Sequence, residues 1–323
     1  MTRINRCVVL AGGTGGAKLA AGIQDLLGDG LTVIANTADD TEVLGVHVSP
    51  DPDLVTYWLS GQIDEQRGWG IKGDSFTVFE RLEALGAPGW FRLSDRDLAT
   101  CMYRTRFVAE GGRLTDAQGQ IARALGARAR VLPMCEEPVR TRVRTAGGWR
   151  PLQQYLVAEG ASEEVEGLEL EGIGEARPTP DALEAVAGAD AIVVGPSNPV
   201  ISIGPILAMP GMREAMTGAD APILGVSPYV AGNAVKGPTD VFMRALGRPA
   251  TAAGVASLYS GLLDGMLCDD GDPDPPPSDI ETRAAPTLME GSGGRRSVAT
   301  ATLRFAASLR TSPERPESEV REE

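Results

Sequence analysis

The chain has 323 residues, 42% of them hydrophobic, and carries a formal net charge of -14. That length fills one large α/β domain or two smaller ones, and the acidic balance argues against nucleic acid or an anionic membrane as the main partner. No stretch approaches 18 consecutive apolar residues, so no membrane span is expected, and "MTRINRCVVLAGG" enters the first strand without a signal peptide, which makes the cytoplasm the expected compartment.

Cys7–Leu10 reads as a buried strand, "GGTGG" as a tight turn, Lys18–Leu27 as a helix and "LTVIAN" at 31–36 as a second strand. This is one βαβ unit with a right-handed crossover. The turn is neither a P-loop nor a dinucleotide fingerprint, because Ala17 precedes Lys18, Leu19 follows it, and Lys18 stands where the fingerprint needs glycine. The physics of anion binding still applies: glycines let backbone N–H groups approach, and the helix start adds positive potential. Gly12, Gly13, Thr14, Gly15, Gly16 and Lys18 are therefore candidates for a phosphate cradle, the alternative being a turn that holds nothing.

The second strand ends in "NTADD", an acidic turn where an open α/β sheet places its ligand crevice. Asp39, Asp40, Asp51, Asp53, Asp74, Asp95 and Asp97 all fall in expected loops or helix starts. Carboxylates facing a phosphate cradle suit a bridging Mg²⁺. Asp40, with Asp39, is the expected metal side, and Asp40 and Lys18 are the candidate catalytic pair. Asp95 and Asp97 serve equally well as helix caps. His47, the single histidine, is expected to be structural.

"HVSPDPDLVTYWLSG" and "GWGIKGDS" read as loops, with helices over about 76–85, from Ser94 or Asp95, and through "GGRLTDAQGQIARAL". Two strands around Gly147 and Gly148 form a hairpin, and 161–176 supplies a further strand and loop. A helix over 181–187 leads to the strand "ADAIVVG" and the loop "PSNPVISIGPIL", where Ser197 and Asn198 offer a second phosphate cradle. "APILGVSP" reads as the last clear parallel strand, before the loop "PYVAGNAVKGPTD" and helices at about 240–246 and 251–265. "CDDGDPDPPPSDIETRAAP" reads as an acidic, Pro-rich linker, "TLMEGSGGRRSVATATLRFAASL" as a final strand and helix, and "TSPERPESEVREE" as a disordered tail.

The expected fold is a Rossmann-like, mostly parallel sheet with helices on both faces and a smaller β-containing insertion. The core is assigned to 1–125 and 177–267, the β-rich insertion to 126–176, and linker, helix and tail to 268–323. Cys7, Cys101, Cys135 and Cys268 show no metal spacing and read as free thiols. The three lysines, Lys18, Lys72 and Lys236, all lie beside glycines. That placement favours function for Lys18 and leaves function and chance equal for the other two. Two phosphate loops imply a diphosphate or a nucleotide, and no Ser or Cys nucleophile stands out, so direct transfer is the simpler chemistry.

"GGTGGAKLAAG", "NTADD", "VSPDPDLVTYWLSG", "GWGIKGDS", "SDRDLAT", "RVLPMCEEPVRT", "GPSNPVISIGPIL" and "VSPYVAGNAVKGPTDVFM" occur in this order. Over about residues 6–270 they resemble the 2-phospho-L-lactate transferase family of coenzyme F-420 biosynthesis, including its phosphoenolpyruvate variants. The resemblance implies that a guanosine-diphospho-acid donor and the deazaflavin FO are joined, with Mg²⁺ present and GMP leaving. It places FO on Asp53 and Arg92, the nucleotide on the glycine loop with Ser197 and Asn198, and the metal on "NTADD". The acid's carboxylate is given Lys72 or Arg104 as candidate partners, and a homodimer is the candidate assembly. Pro52, Ser94 and "HV" at 47–48 depart from the family pattern, none of them removing a charge. The alternative is the related GGTGG-loop family of UDP-sugar-binding regulators.

Overall fold

The structure is a computed structural model that describes residues 3–273 and 280–310. Strand β1 (Cys7–Ala11), helix α1 (Gly13–Leu27) and strand β2 (Leu31–Ala35) form the expected βαβ unit. A small hairpin, β3 (Thr41–Val43) and β4 (Val46–Val48), leads into α2 (Pro50–Leu59). Helices α3 (Thr77–Ala84), α4 (Asp95–Ala109) and α5 (Leu114–Leu125) precede β5 (Arg130–Pro133). Strands β6 (Arg140–Thr145), β7 (Gly148–Pro151) and β8 (Gly167–Glu171) make a separate antiparallel sheet. The chain then returns through α6 (Pro180–Ala187), β9 (Ala191–Val194), α7 (Ile203–Ala208), α8 (Met212–Thr217) and β10 (Ile223–Val226). The short hairpin of β11 (Tyr229–Val230) and β12 (Asn233–Ala234) precedes α9 (Thr239–Ala245) and α10 (Ala252–Leu258). Strands β13 (Gly265–Asp269) and β14 (Glu281–Ala285) and helix α11 (Gly291–Leu309) complete the described chain.

The central sheet has seven parallel strands in the order β14-β13-β10-β9-β1-β2-β5. Because side chains alternate across a strand, Val8, Leu10, Ile34, Ile192 and Val194 pack on one face, with Val186 and Met212. Val9, Val33, Val193 and Leu224 pack on the other, with Leu19, Ile23 and Val298. Both faces are covered, which explains the near-continuous apolar runs of β1 and β9. Each fully buried branched side chain contributes roughly 1.5–3 kcal/mol. Helices α1 and α11 cross at close range, since a Cβ on Gly22 would strike the Arg295 carbonyl.

Several expectations are corrected. "SPDPDLVTYWL" is a helix, with Pro50 at its start and Asp51 and Asp53 in its first turn, where Pro and acidic residues stabilise a helix. β10 is not the last parallel strand: α10 stops at Leu258, Cys268 and Asp269 end β13, and "ETRAA" forms the sheet edge instead of a linker. A five-residue apolar run is ambiguous between helix and strand, and a polar edge strand carries no alternation. "TLME" is irregular backbone rather than a strand. β5 lies within 126–176 but pairs with β2 in the central sheet, and only β6–β8 make up the small one. Residues 274–279 of the Pro-rich stretch and the tail 311–323 lie outside the described residues. All four cysteines are free and buried, and among the described residues no helix is long and apolar enough to cross a membrane.

Candidate active site

Strand order reverses between β1 and β9. Chain connections diverge at such a point and leave a crevice beyond the carboxyl ends. A cleft of about 500 Å³ lies there, lined by both loops, the start of α1 and residues 287–290.

The two loops are pressed together. Gly12 N donates to Ser197 Oγ at 3.1 Å, and Gly195 N to Leu10 O at 3.0 Å. A Cβ on Gly15 would strike the Pro196 carbonyl, and one on Gly16 the Ser197 hydroxyl. These glycines thus serve loop-to-loop contact. Asn198 spends its Oδ1 on the backbone N–H groups of Val200 and Ile201, at 3.0 and 3.2 Å, which fixes the second loop. Gly12, Gly13, Thr14, Gly15, Lys18, Ser197 and Asn198 all face the cleft; Gly16 is buried behind it.

The acidic wall is Asp39 with Asp51. Asn36 Nδ2 bridges them, donating to Asp51 Oδ2 at 3.0 Å and to Asp39 Oδ1 at 3.3 Å. Gly13 N donates to Asp51 Oδ1 at 2.5 Å, so this carboxylate also caps α1. Gln153 Nε2, from the segment after β7, donates to Asp39 Oδ2 at 3.1 Å. Burial pushes Asp51 up to about 6. It pushes Asp39 well above the carboxylate range, with repulsion from Asp51 and Asp40 added. Such a pair is relieved by a proton or a cation.

Asp40 and Asp53 are not brought to the cleft wall. Asp40 accepts from Ser49 Oγ at 2.8 Å and lies 2.7 Å from His47 Nε2. It ties β4 to the start of α2, and His47 has the structural setting expected of it. Asp53 pairs with Arg104, which is fully buried on α4 and also donates to the His47 carbonyl at 3.2 Å. Asp51 and Asp53 are two apart in a helix, so they point to opposite sides. Arg104 therefore offers nothing to a ligand in the cleft, and Lys72 lies exposed elsewhere. Arg92 is exposed and stacks its guanidinium 4.5 Å from the Phe76 ring centre.

Lys18 and Lys236 form the basic wall. Lys18 Nζ donates to the Met289 carbonyl at 3.3 Å and lies 5.5 Å from the Trp58 ring centre. Lys236 Nζ donates to Thr14 Oγ1 at 3.1 Å and to the Gly68 carbonyl at 3.2 Å. Partial burial and the Lys18 ammonium hold Lys236 below the usual lysine range.

Asp53, Asp97 and Cys101 hold potential ligand atoms within 4.8 Å of one another. Arg104 already neutralises Asp53 there, and burial holds the Cys101 thiol protonated. Mg²⁺ prefers oxygen ligands, so that cluster suits it poorly, whereas Asp39 and Asp51 offer it carboxylate oxygens at the cleft. Gln153 and residues 287–290 were not singled out from sequence, whereas Asp51 is one of seven loop carboxylates and Lys236 one of three glycine-flanked lysines, with function and chance equal for it. The two-residue spacing in "SPDPD" was the available signal for choosing between its carboxylates.

The profile of the 2-phospho-L-lactate transferase CofD family matches residues 7–291. A phosphoenolpyruvate transferase of Streptomyces griseus is 41% identical over 316 residues, covering 94% of this chain and 99% of that protein. A 2-phospho-L-lactate transferase of Methanosarcina mazei is 38% identical over 266 residues, covering 82% and 87% respectively. A crystal structure of a UPF0052-family protein from Bacillus halodurans superposes with a TM-score of 0.63 at 18% identity, covering 94% of this chain and 100% of that one, which shows a common fold.

Proposed function

From the premise that this chain belongs to the 2-phospho-L-lactate transferase CofD family, the transferases of coenzyme F-420 biosynthesis, we propose that it joins a phosphorylated three-carbon acid to the deazaflavin FO. The donor is a guanosine-diphospho-acid. A ribityl hydroxyl of FO forms the new bond to the acid-bearing phosphorus, the bond from that phosphorus to GMP breaks, and the hydroxyl proton is released. The observation that carries this reading is the gathering of both kinds of charge at the glycine cradle: Asp39, Asp51, Lys18 and Lys236 all line the one cleft.

Each wall has a separate task. The Lys18 ammonium and the backbone of the glycine loop neutralise and orient the diphosphate. Asp39 and Asp51 would hold Mg²⁺, which neutralises charge on the transferring group. Trp58, Leu152 and Leu156 give the cleft an apolar flank for an aromatic ring. Arg92, with its guanidinium against Phe76, lies in the cluster that includes Trp69 beside Gly68, and these aromatic groups suit contact with the FO ring. Asp53 then acts on FO indirectly, by fixing α2 through Arg104. Positioning and charge neutralisation supply the rate, as in other phosphoryl transfers.

Phosphoenolpyruvate is the acid we favour, because the Streptomyces griseus relative of that name is 41% identical, against 38% for the Methanosarcina mazei 2-phospho-L-lactate transferase. The test is to incubate the protein with FO, Mg²⁺ and each guanosine-diphospho-acid separately, and to weigh the products. The dehydro product from the enolpyruvyl donor is expected. A product heavier by two hydrogens, made preferentially from the lactyl donor, overturns the choice of acid; no product from any donor overturns the reading.

A further inference from the structure

We propose that Lys236 is a second diphosphate-binding residue of the cleft, held by Thr14 and Gly68 until the ligand arrives. This rests on the transferase reading only in naming the ligand as a diphosphate.

Lys236 comes from the opposite half of the sheet to Lys18. It follows the β11–β12 hairpin, whose turn, Ala231-Gly232, has φ of 48° and 75°. That turn is pinned to the end of β13: Ala231 N donates to Asp269 Oδ1 at 3.1 Å, and Gly232 N to Asp272 Oδ1 at 2.8 Å. Gly237, at φ 76° with open space around it, turns the backbone directly after the lysine in a conformation that favours glycine. Lys236 is thus a short arm between a pinned turn and a glycine in the left-handed region.

Its present partners are both neutral, a hydroxyl and a carbonyl. Among the described residues it has no ion pair with a carboxylate, in a chain that carries 44 of them. Instead it is brought near Lys18, another ammonium. Two like charges converging on a glycine cradle repel until an anion lies between them. The Thr14 contact puts the Lys236 ammonium on the first turn of α1, where backbone N–H groups already favour an anion. A diphosphate there exchanges two neutral acceptors for anionic ones, adding direct charge pairing to the ammonium's hydrogen bonds.

Inorganic pyrophosphate and GDP are the probes, titrated by calorimetry against the wild-type chain, Lys236→Met and Lys236→Arg. Lys236→Met is expected to lose about tenfold or more in affinity for both. Lys236→Arg should keep part of it, guanosine binding should stay unchanged, and the ligand-free melting temperature should move little. Equal pyrophosphate affinity in Lys236→Met and wild type overturns the proposal. So does a fall in ligand-free stability with guanosine binding lost in step, because Lys236 is then only a tie between loops. Wild-type protein that binds neither probe also overturns it. If wild type binds GDP no better than pyrophosphate while Lys236→Met weakens both, the lysine assignment stands and the guanine donor fails.

Discussion

Arg104 donates to Asp53 in an ion pair buried between α2 and α4, with Arg104 wholly shielded from solvent. Burial alone would raise Asp53, and the guanidinium offsets part of that rise. The pair holds the helix whose opposite side presents Asp51 to the cleft. Removing one partner leaves the other charged and buried, which costs about 3–5 kcal/mol. Arg104→Met and Asp53→Ala are each expected to lower stability on that scale in denaturant unfolding. The double variant should recover part of the loss. If Asp53→Ala unfolds like wild type and loses only FO binding, Asp53 is a direct ligand and not a scaffold.

The acidic wall predicts a metal effect readable without turnover. Mg²⁺ added to chelator-stripped protein is expected to raise the melting temperature at pH 8, because binding to the native state alone stabilises it. Asp39→Asn and Asp51→Asn should abolish the shift. Asp40→Asn should retain it, since Asp40 is occupied by His47 and Ser49. Loss in Asp40→Asn with retention in Asp51→Asn would return the metal to the second carboxylate of "NTADD".

Asp97 supplies a pH prediction. Burial, then the Asp53 carboxylate, raise it to about 7, although Tyr57 donates to it at 2.7 Å. An acid raised by folding keeps its proton longer in the native state than in the unfolded one. Its contribution to stability therefore falls as pH rises from about 4 towards 7, and stays low above. Asp97→Asn removes that loss. It is expected to exceed wild type in stability at pH 8 by on the order of 1–3 kcal/mol, with the gain fading by pH 4. Unfolding curves at pH 4.5, 6 and 8 check this; a gain that does not shrink on acidification refutes the cause given.

Gly15→Ala tests the cradle as a packing joint. The new Cβ meets the Pro196 carbonyl, which is backbone and cannot rotate away. Overpacking of this kind costs about 1–3 kcal/mol, and here it also parts the two phosphate loops. Thermal unfolding and pyrophosphate binding should both suffer. A variant with normal stability and weakened binding would mean that the loops separate freely.

The alternating parallel core was readable because β1, β2, β9 and β10 are apolar runs that end in glycine, asparagine or serine turns. The sheet edges were not: "ETRAA" has neither alternation nor β-branched enrichment, and only its pairing with β13 makes it a strand. The glycine cradle and Lys18 were legible from local chemistry. The choice among carboxylates was not, because it depends on which side of α2 faces the cleft. Asp40 and Asp53 look as suitable in sequence as Asp39 and Asp51, but Asp40 is occupied by His47 of the next hairpin and Asp53 by Arg104 of α4. Lys236 stands out in sequence by its glycine neighbour, yet function and chance stay equal there, since its partner Thr14 is 222 positions away.

The carbonyl of Met289 holding Lys18, and the wall formed by residues 287–290, carry a consequence for synthesis on the ribosome. The glycine loop emerges early, yet its last neighbours are translated tens of seconds later at ordinary elongation rates of about 5–20 residues per second. Until α11 settles onto α1, the nascent cleft lacks one side and its ammonium lacks an anchor. Assembly of the cleft is thereby deferred until residues 287–290 have been translated, so a ribosome stalled before residue 287 would display a nascent chain with most of its sheet sequence but without a complete cleft.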